Sequence, residues 1–466
     1  MANIRKWLFV TAVIIVSMAG LLQAADVPKG LTTSFEYNQS NIYPGTERKV
    51  TVYVPKQYTG KPACLLVCMD GILYDAAAKL DTLIAQGDMP VTIGVFVAPG
   101  VVKDAAGGVV RYNRSREFDS VDATWASFLE EEILPQVEGM KLADGRTVHL
   151  SADANDRAIT GASSGGICAM TAAWMRPDLF SRVYSAVGTF VAMRGGNDYP
   201  ALVRKTEPKP LRIFLQDGEK DAWNPLFGSW WEYNQLMMSA LKFAGYEVDA
   251  AWDKGGHSIR YGTLAFNSAM RFLWRGWPDR VVTPHSQNDM LGTILRDGCD
   301  WEYVADYSAR CDTLFCHTDD AMACSDGIIC RGKHFAIAPD HRAVVQSQPS
   351  SNWLIQYVLS DKKLLYGERF YWLHSTDNDA LSENGPMVFD TSGNLYVATV
   401  MGVQVCDQNG RVRAILTPPG GAASDISFVG NVLYVVSGDK IYRRVMTTTG
   451  YNPSDGAITV KSQGQG

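Results

Sequence analysis

Gly161-Ala162-Ser163-Ser164-Gly165 is the one G-x-S-x-G of this sequence, and its residue types suit a nucleophile held at a tight turn. A serine hydroxyl becomes an effective nucleophile only when a neighbouring base takes its proton. The preceding Asp156-Arg157-Ala158-Ile159-Thr160 reads as a short buried strand, and Gly166 to Met175 behind the motif reads as a helix. A strand, an elbow and a helix expose the Ser163 oxygen, while Gly161 and Gly165 leave room for the turn and for close helix packing. The backbone N–H of Ser164, at the helix start, then faces an oxyanion developing on a substrate carbonyl. A bare motif of this kind arises by chance in roughly one chain in four of this length, so its partners decide the reading.

Those partners are expected after the serine, in the order acid then histidine. The strand Leu211-Arg212-Ile213-Phe214-Leu215 runs into Gln216-Asp217-Gly218-Glu219-Lys220-Asp221. Asp221 is the expected acid, because it lies past the glycine turn and can point across to a histidine. Asp217 is the alternative, although its carboxylate can equally close the turn through its own backbone. A helix from Trp230 to Phe243 and a strand-like Glu247 to Trp252 then lead to Gly255-Gly256-His257-Ser258. His257 would take the proton of Ser163 and return one to a leaving alcohol, with Asp221 fixing its tautomer. A second oxyanion donor is expected from Asp70-Gly71-Ile72, after the apolar run Cys64 to Met69, through the N–H of Gly71 or Ile72. This chemistry calls for no cofactor and no metal ion.

The elements that must hold these residues fit a soluble chain with sizeable cores. The chain has 466 residues, 46% hydrophobic and 20% charged, a length that suggests two or three domains. Its formal charge is −6 and it has no dense run of Lys and Arg, which gives a nucleic-acid partner no electrostatic support. Arg5-Lys6, an apolar run from Trp7 to Leu22 and the small residues after Gln23 read as a signal peptide over 1–25. The expected mature protein is exported, periplasmic or secreted, without stable membrane insertion. Five of the nine cysteines (Cys299, Cys311, Cys316, Cys324 and Cys330) cluster, and an oxidising compartment permits one or two disulfides there.

From Leu31 to Pro278 short apolar strands alternate with helices, expected near 121–138, 165–176, 228–244 and 263–274. Continuous apolar runs such as Cys64–Met69 and Val91–Val97 suit strands buried on both faces. The fold class is therefore α/β, with a sheet parallel in its middle and flanked by helices over 26–279. Past Pro278 the texture changes to short strands and Gly/Asn/Asp turns, such as 388–397, 403–412 and 432–436, over a second, all-β domain at 280–450. A Gly/Ser-rich flexible tail is expected over 451–466.

Residues 35–275 resemble the esterase D family of feruloyl, acetylxylan and enterochelin esterase-like enzymes. The likeness is carried by Tyr43 to Arg48, Val52 to Pro55, Met69-Asp70-Gly71, Asn113 to Asp119, Phe128 to Pro135 and Arg176 to Phe180, besides the elbow, Asp221 and His257. It implies an α/β-hydrolase and a serine esterase acting on small-molecule or polysaccharide esters. Arg114, Arg116 and Glu117 fall in a family motif near the site, where they form either a structural ion-pair cluster or a substrate clamp. Trp223, Phe227, Trp230 and Trp231 follow the acid and can either stack on an aromatic acyl group or sugar, or fill a core.

Residues about 300–450 resemble part of a gluconolactonase and regucalcin-type propeller, through stretches such as Phe370 to His374, Gly393 to Thr399 and Gly402 to Asp407. The remaining length is short of a full propeller. The positions of that group's metal ligands fall on Lys333 and Asn384, with no clear third near Thr318-Asp319-Asp320, so no metal is expected here. Two other readings stand beside the esterase: a metal-dependent sugar lactonase working through this region, and a non-catalytic carbohydrate-binding protein.

Overall fold

The computed structural model describes residues 27–307, 314–315, 322–324, 329–330, 334–348, 351–375 and 384–461. Eight strands form one sheet: β1 Leu31–Tyr37, β2 Arg48–Val54, β3 Cys64–Met69, β4 Thr92–Val97, β5 Arg157–Ala162, β6 Arg182–Ala186, β7 Arg212–Gly218 and β8 Glu247–Asp253. Their order across the sheet is β1-β2-β4-β3-β5-β6-β7-β8. The first two strands pair antiparallel, as do β2 and β4, and every pairing from β4 to β8 is parallel.

Parallel neighbours need crossovers, and helices α1 Ala76–Ala85, α2 Ser164–Met175, α3 Tyr199–Lys205, α4 Trp230–Phe243 and α5 Ile259–Trp274 supply apolar cover for both faces. The apolar runs divide between those faces with period two. Leu65, Val67 and Met69 of β3 join a core with α2 and α4, through residues such as Ile167, Met170, Met237 and Leu241. Leu66 and Cys68 join the opposite core with Leu80 and Leu83 of α1 and with Phe266, Met270 and Leu273 of α5.

The expected strands and the helices at 165–176, 228–244 and 263–274 are present within a few residues. The helix expected at 121–138 is instead three segments: α-helical Thr124–Phe128, π-helical Leu129–Ile133 and α-helical Leu134–Val137. Pro135 has no N–H to donate there, which removes a regular bond of the helix. Strand β1 and helices α1 and α3 were not foreseen.

The C-terminal part consists mostly of antiparallel strands in several small sheets. Met387–Phe389, Leu395–Thr399, Gly402–Cys406 and Val412–Leu416 make one; Asp425–Val429, Val432–Ser437, Lys440–Val445 and Glu302–Asp306 make another. A six-stranded sheet includes Ala343–Ser347, Trp353–Ser360 and Lys363–Trp372. None closes into a barrel among the described residues. This part docks on α3 and the segment after it. Leu202 enters its apolar core, the Glu207 N–H donates to the Ile415 carbonyl at 3.0 Å, and Arg444 holds the Glu207 carboxylate with both terminal nitrogens at 2.6 and 2.7 Å.

The tail differs from expectation over 451–461. Tyr451 is buried, the Ile458 N–H donates to the Pro339 carbonyl at 2.8 Å, and Gln408 donates to the Lys461 carbonyl at 2.9 Å. Residues 1–25, Cys311, Cys316, 318–320, Lys333 and 462–466 lie outside the described residues, as do the side chains of Cys324 and Cys330. Cys299 has no disulfide partner among the described residues.

Candidate active site

Strand β5 ends at the elbow, and the sequence explains why the turn is so tight. A Cβ on Gly161 would collide with the backbone carbonyl of Gly165, so strand and helix approach at a distance only glycine permits. A Cβ on Gly165 would sit 3.0 Å from an Asp70 carboxylate oxygen. Ser163 takes φ 60° and ψ −122°, a left-handed backbone that a serine adopts only under constraint. Its own backbone fastens it there. The N–H donates to the Ala186 carbonyl at 2.9 Å, and the carbonyl accepts from Gly166 at 2.8 Å and Thr189 at 3.2 Å.

The loops after β7 and β8 bring the other two residues to this serine. They are tied to each other by backbone bonds from Glu219 N–H to the Asp253 carbonyl and from Lys220 N–H to the Gly255 carbonyl, both 2.9 Å. Gly218 lies against the Gly255 carbonyl where no Cβ fits. Across this bridge the Nδ1 of His257 lies 2.6 Å from Oδ1 of Asp221, and its Nε2 lies 2.8 Å from Oγ of Ser163. A carboxylate on Nδ1 places the ring proton there and leaves Nε2 to accept from the serine hydroxyl. Burial alone would raise the Asp221 carboxyl, but hydrogen bonds from His257, from Asp217 and from the Ala222 N–H outweigh it and hold it below the usual carboxylate range.

Asp217, the alternative acid, does not reach the histidine. It sits inside β7, buried, with Oδ1 accepting from its neighbour's Gly218 N–H at 2.7 Å. Burial and the adjoining Asp221 carboxylate raise it to about 9.

Of the expected oxyanion donors, the Gly71 N–H is already bound to the Val97 carbonyl at 3.3 Å, which corrects that assignment. The amides of Ser164 and Ile72 donate to no acceptor among the described residues. Arg114 is corrected as a substrate group. Its Nε and Nη2 bind the Asp70 carboxylate at 2.6 and 2.8 Å, and Nη2 also reaches the Ala162 carbonyl at 3.3 Å. Asp70 has φ 63°, so this fork pins a left-handed residue beside the elbow and braces the loop that carries Ile72. Glu117 is also corrected. Its side chain and that of Arg48 are both 0% exposed, paired at 2.8 Å, and Glu117 further accepts from Gly100 and Asn113 at 2.9 Å. No substrate can reach it.

Trp230 is buried, its ring edge-on to His257 at 5.6 Å between centroids and its Nε1–H donating to Oγ1 of Thr189 at 3.2 Å; this corrects its assignment to substrate. Trp223, 71% exposed two residues past Asp221, remains open to a ligand. Thr189 was missed by sequence reasoning: its hydroxyl lies 3.3 Å from the Ser163 oxygen, placed by a loop after β6 that carries no motif. In the C-terminal part, Asn384 is buried and its amide nitrogen donates to the Ser351 carbonyl; no three His, Cys, Asp or Glu side chains come together as a metal site among the described residues.

The sheet order, with a serine on the elbow after β5, defines an α/β-hydrolase. Residues 40–265, just under half of the chain, match the family model described as "Putative esterase", and this match supports a carboxylic-ester hydrolase. Among solved structures it is similar to a ferulic acid esterase, at 20% identity over 53% of this chain and 99% of that one, with a TM-score of 0.39. It is also similar to the enterobactin esterase of Shigella flexneri, at 19% identity over 54% of this chain and 62% of that one, TM-score 0.41. A third is the fluorophosphonate-binding serine hydrolase F of Staphylococcus aureus, at 14% identity over 53% and 99% of the two chains, TM-score 0.37. No curated protein matches.

Proposed function

We propose that Ser163, His257 and Asp221 are the nucleophile, base and acid of a serine esterase. The single observation that carries this reading is the continuous chain from Asp221 Oδ1 through His257 to Ser163 Oγ, 2.6 and 2.8 Å in its two steps. His257 Nε2 removes the serine proton as Oγ attacks the ester carbonyl, and the ring then passes that proton to the leaving alcohol. The amides of Ser164 and Ile72 donate to the oxyanion, and a water activated by the same imidazole frees the acyl group. Asp221 holds the tautomer and offsets the imidazolium charge.

The substrates in this reading are acyl esters of carbohydrates. Trp223, Leu226 and Ile72, on the loops that carry the acid and the oxyanion donor, and Ile259, at the start of α5 just past the histidine, are exposed large apolar side chains. Such a rim suits an aromatic acyl group such as feruloyl better than acetyl. The N-terminal Arg5-Lys6 and apolar run support export, and the C-terminal sheets support an accessory, partial-propeller domain. The test is hydrolysis of p-nitrophenyl acetate, methyl ferulate, acetyl-xylan and a siderophore ester, with and without EDTA, by the protein and by Ser163→Ala. Activity that survives EDTA and disappears in Ser163→Ala is expected; full activity in Ser163→Ala overturns the assignment. A preference for acetyl-xylan over methyl ferulate overturns the aromatic acyl reading.

A further inference from the structure

Two carboxyl groups meet beneath the histidine, and only one of them has a place in the proposed reaction. Asp221 Oδ1 accepts from both His257 Nδ1 and the Ala222 N–H, and Asp217 Oδ1 accepts from the Gly218 N–H. The two Oδ2 atoms are both buried and neither has a donor from any other group. The side chains are nevertheless within hydrogen-bonding contact of each other. Two ionised carboxylates would offer acceptors alone and repel at that contact, with two buried oxygens left unsatisfied. One proton between them satisfies both oxygens and removes one charge.

We propose that Asp217 is a neutral carboxylic acid whose Oδ2–H donates to Oδ2 of Asp221, making it a positioning residue for the acid of the site. This rests on the reading of Ser163, His257 and Asp221 as the reacting set, which Asp217 supports without joining. The assignment of the proton follows from the surroundings. Asp221 has the His257 ring and the Ala222 amide to stabilise its charge, whereas Asp217 has one backbone donor. The titratable groups facing Asp217 are Asp221 on the loop after β7 and Asp253 at the end of β8, both acidic; His257 lies beyond Asp221. Asp253, which accepts from Gln216 Nε2 at 3.0 Å and from the Gly255 N–H at 2.6 Å, is a second acidic neighbour that opposes ionisation of Asp217.

The consequence is geometric. With Oδ1 shared by the histidine and a backbone amide, and Oδ2 held by Asp217, the Asp221 carboxylate cannot rotate about its terminal bond. Its Oδ1 therefore stays aimed at Nδ1 throughout the proton transfers. As pH rises and Asp217 ionises, the donor becomes a second negative charge and the carboxylate loses its anchor.

The experiment measures kcat and KM for p-nitrophenyl acetate across the pH range with Asp217→Asn, Asp217→Ala and Ser163→Ala beside the unaltered protein. A carboxamide keeps an N–H donor and no charge, so Asp217→Asn should hold kcat at neutral pH within about threefold, with its acid limb unmoved and the alkaline transition of the parent gone. Loss of the donor in Asp217→Ala should lower kcat about tenfold at unchanged KM. Infrared difference spectra between the parent and Asp217→Asn at neutral pH should show a protonated carboxyl band, a readout that does not depend on Asp217→Ala folding well. An ionised-carboxylate band instead, or an acid limb moved to lower pH in Asp217→Asn, overturns the proposal. Parent behaviour of Asp217→Ala beside an inactive Ser163→Ala overturns the role of Asp217 alone, while an active Ser163→Ala overturns the whole reacting set with it.

Discussion

Replacing Arg114 by leucine separates a brace from a substrate clamp. In the structure its guanidinium makes two charge-assisted bonds to Asp70, at 2.6 and 2.8 Å. Each such bond contributes about 1.5 kcal/mol when shielded from water. Because the Arg114 side chain is 36% exposed and that of Asp70 19%, solvent screening reduces the sum to about 2 kcal/mol. Asp70 needs that anchor to stay at φ 63°, and the chain leads directly from it to the Ile72 amide. If the whole loss appears as a misplaced oxyanion donor, about 2 kcal/mol corresponds to a roughly 30-fold lower kcat. The donor binds charge that exists only in the transition state, so KM should change little. Steady-state kinetics on p-nitrophenyl acetate give both constants, and Arg114→Lys, which keeps the charge without the fork, should fall between. A raised KM with unchanged kcat would refute this reasoning and restore Arg114 to the substrate.

Further outcomes follow from the same contacts. Gly161→Ala drives a Cβ into the Gly165 carbonyl; overpacking of this kind costs about 3 kcal/mol, which lowers Tm in scanning calorimetry by roughly 6–12 °C. Glu117→Gln leaves the buried Arg48 guanidinium without its carboxylate; a loss of about 3–5 kcal/mol in denaturant unfolding is expected, with KM unchanged. Asp217 is raised to about 9 in the folded chain, against about 4 when unfolded. The unfolded chain therefore loses this proton first, so the stability linked to it is complete below about pH 4 and declines until the folded group ionises. Melting curves across that window should fall less steeply for Asp217→Asn than for the parent.

Local pattern made much of this molecule legible. Cys64–Met69 and Val91–Val97 read as doubly buried strands because their neighbours cover both faces, and the Gly161–Gly165 spacing announces a turn whose tightness the Gly165 carbonyl explains. The approach of Asp221 and His257 to Ser163 is legible in chain order, since the fold places them on loops after successive strands. What stayed hidden depends on contacts between distant segments. Glu117 meets Arg48 across 69 positions, and Arg114 meets Asp70 across 44. A charged motif beside an active site looks the same in sequence whether it faces substrate or another side chain. Thr189 is likewise brought to Ser163 by a loop 26 positions further along the chain. Helix α1 escaped notice because its alanines and mixed polar residues, AAAKLDTLIA, carry no cap signal, and its N-cap Asp75 makes no side-chain cap bond.

The most direct test of the reacting set is covalent labelling. An organophosphonate that reacts only with activated serines should add one group per chain by intact mass, map to Ser163 on peptide analysis, and leave Ser163→Ala unmodified. His257→Ala should label far more slowly, because Ser163 would keep its proton. Labelling of Ser163→Ala at the parent's rate, or an adduct on any other residue, would contradict the account.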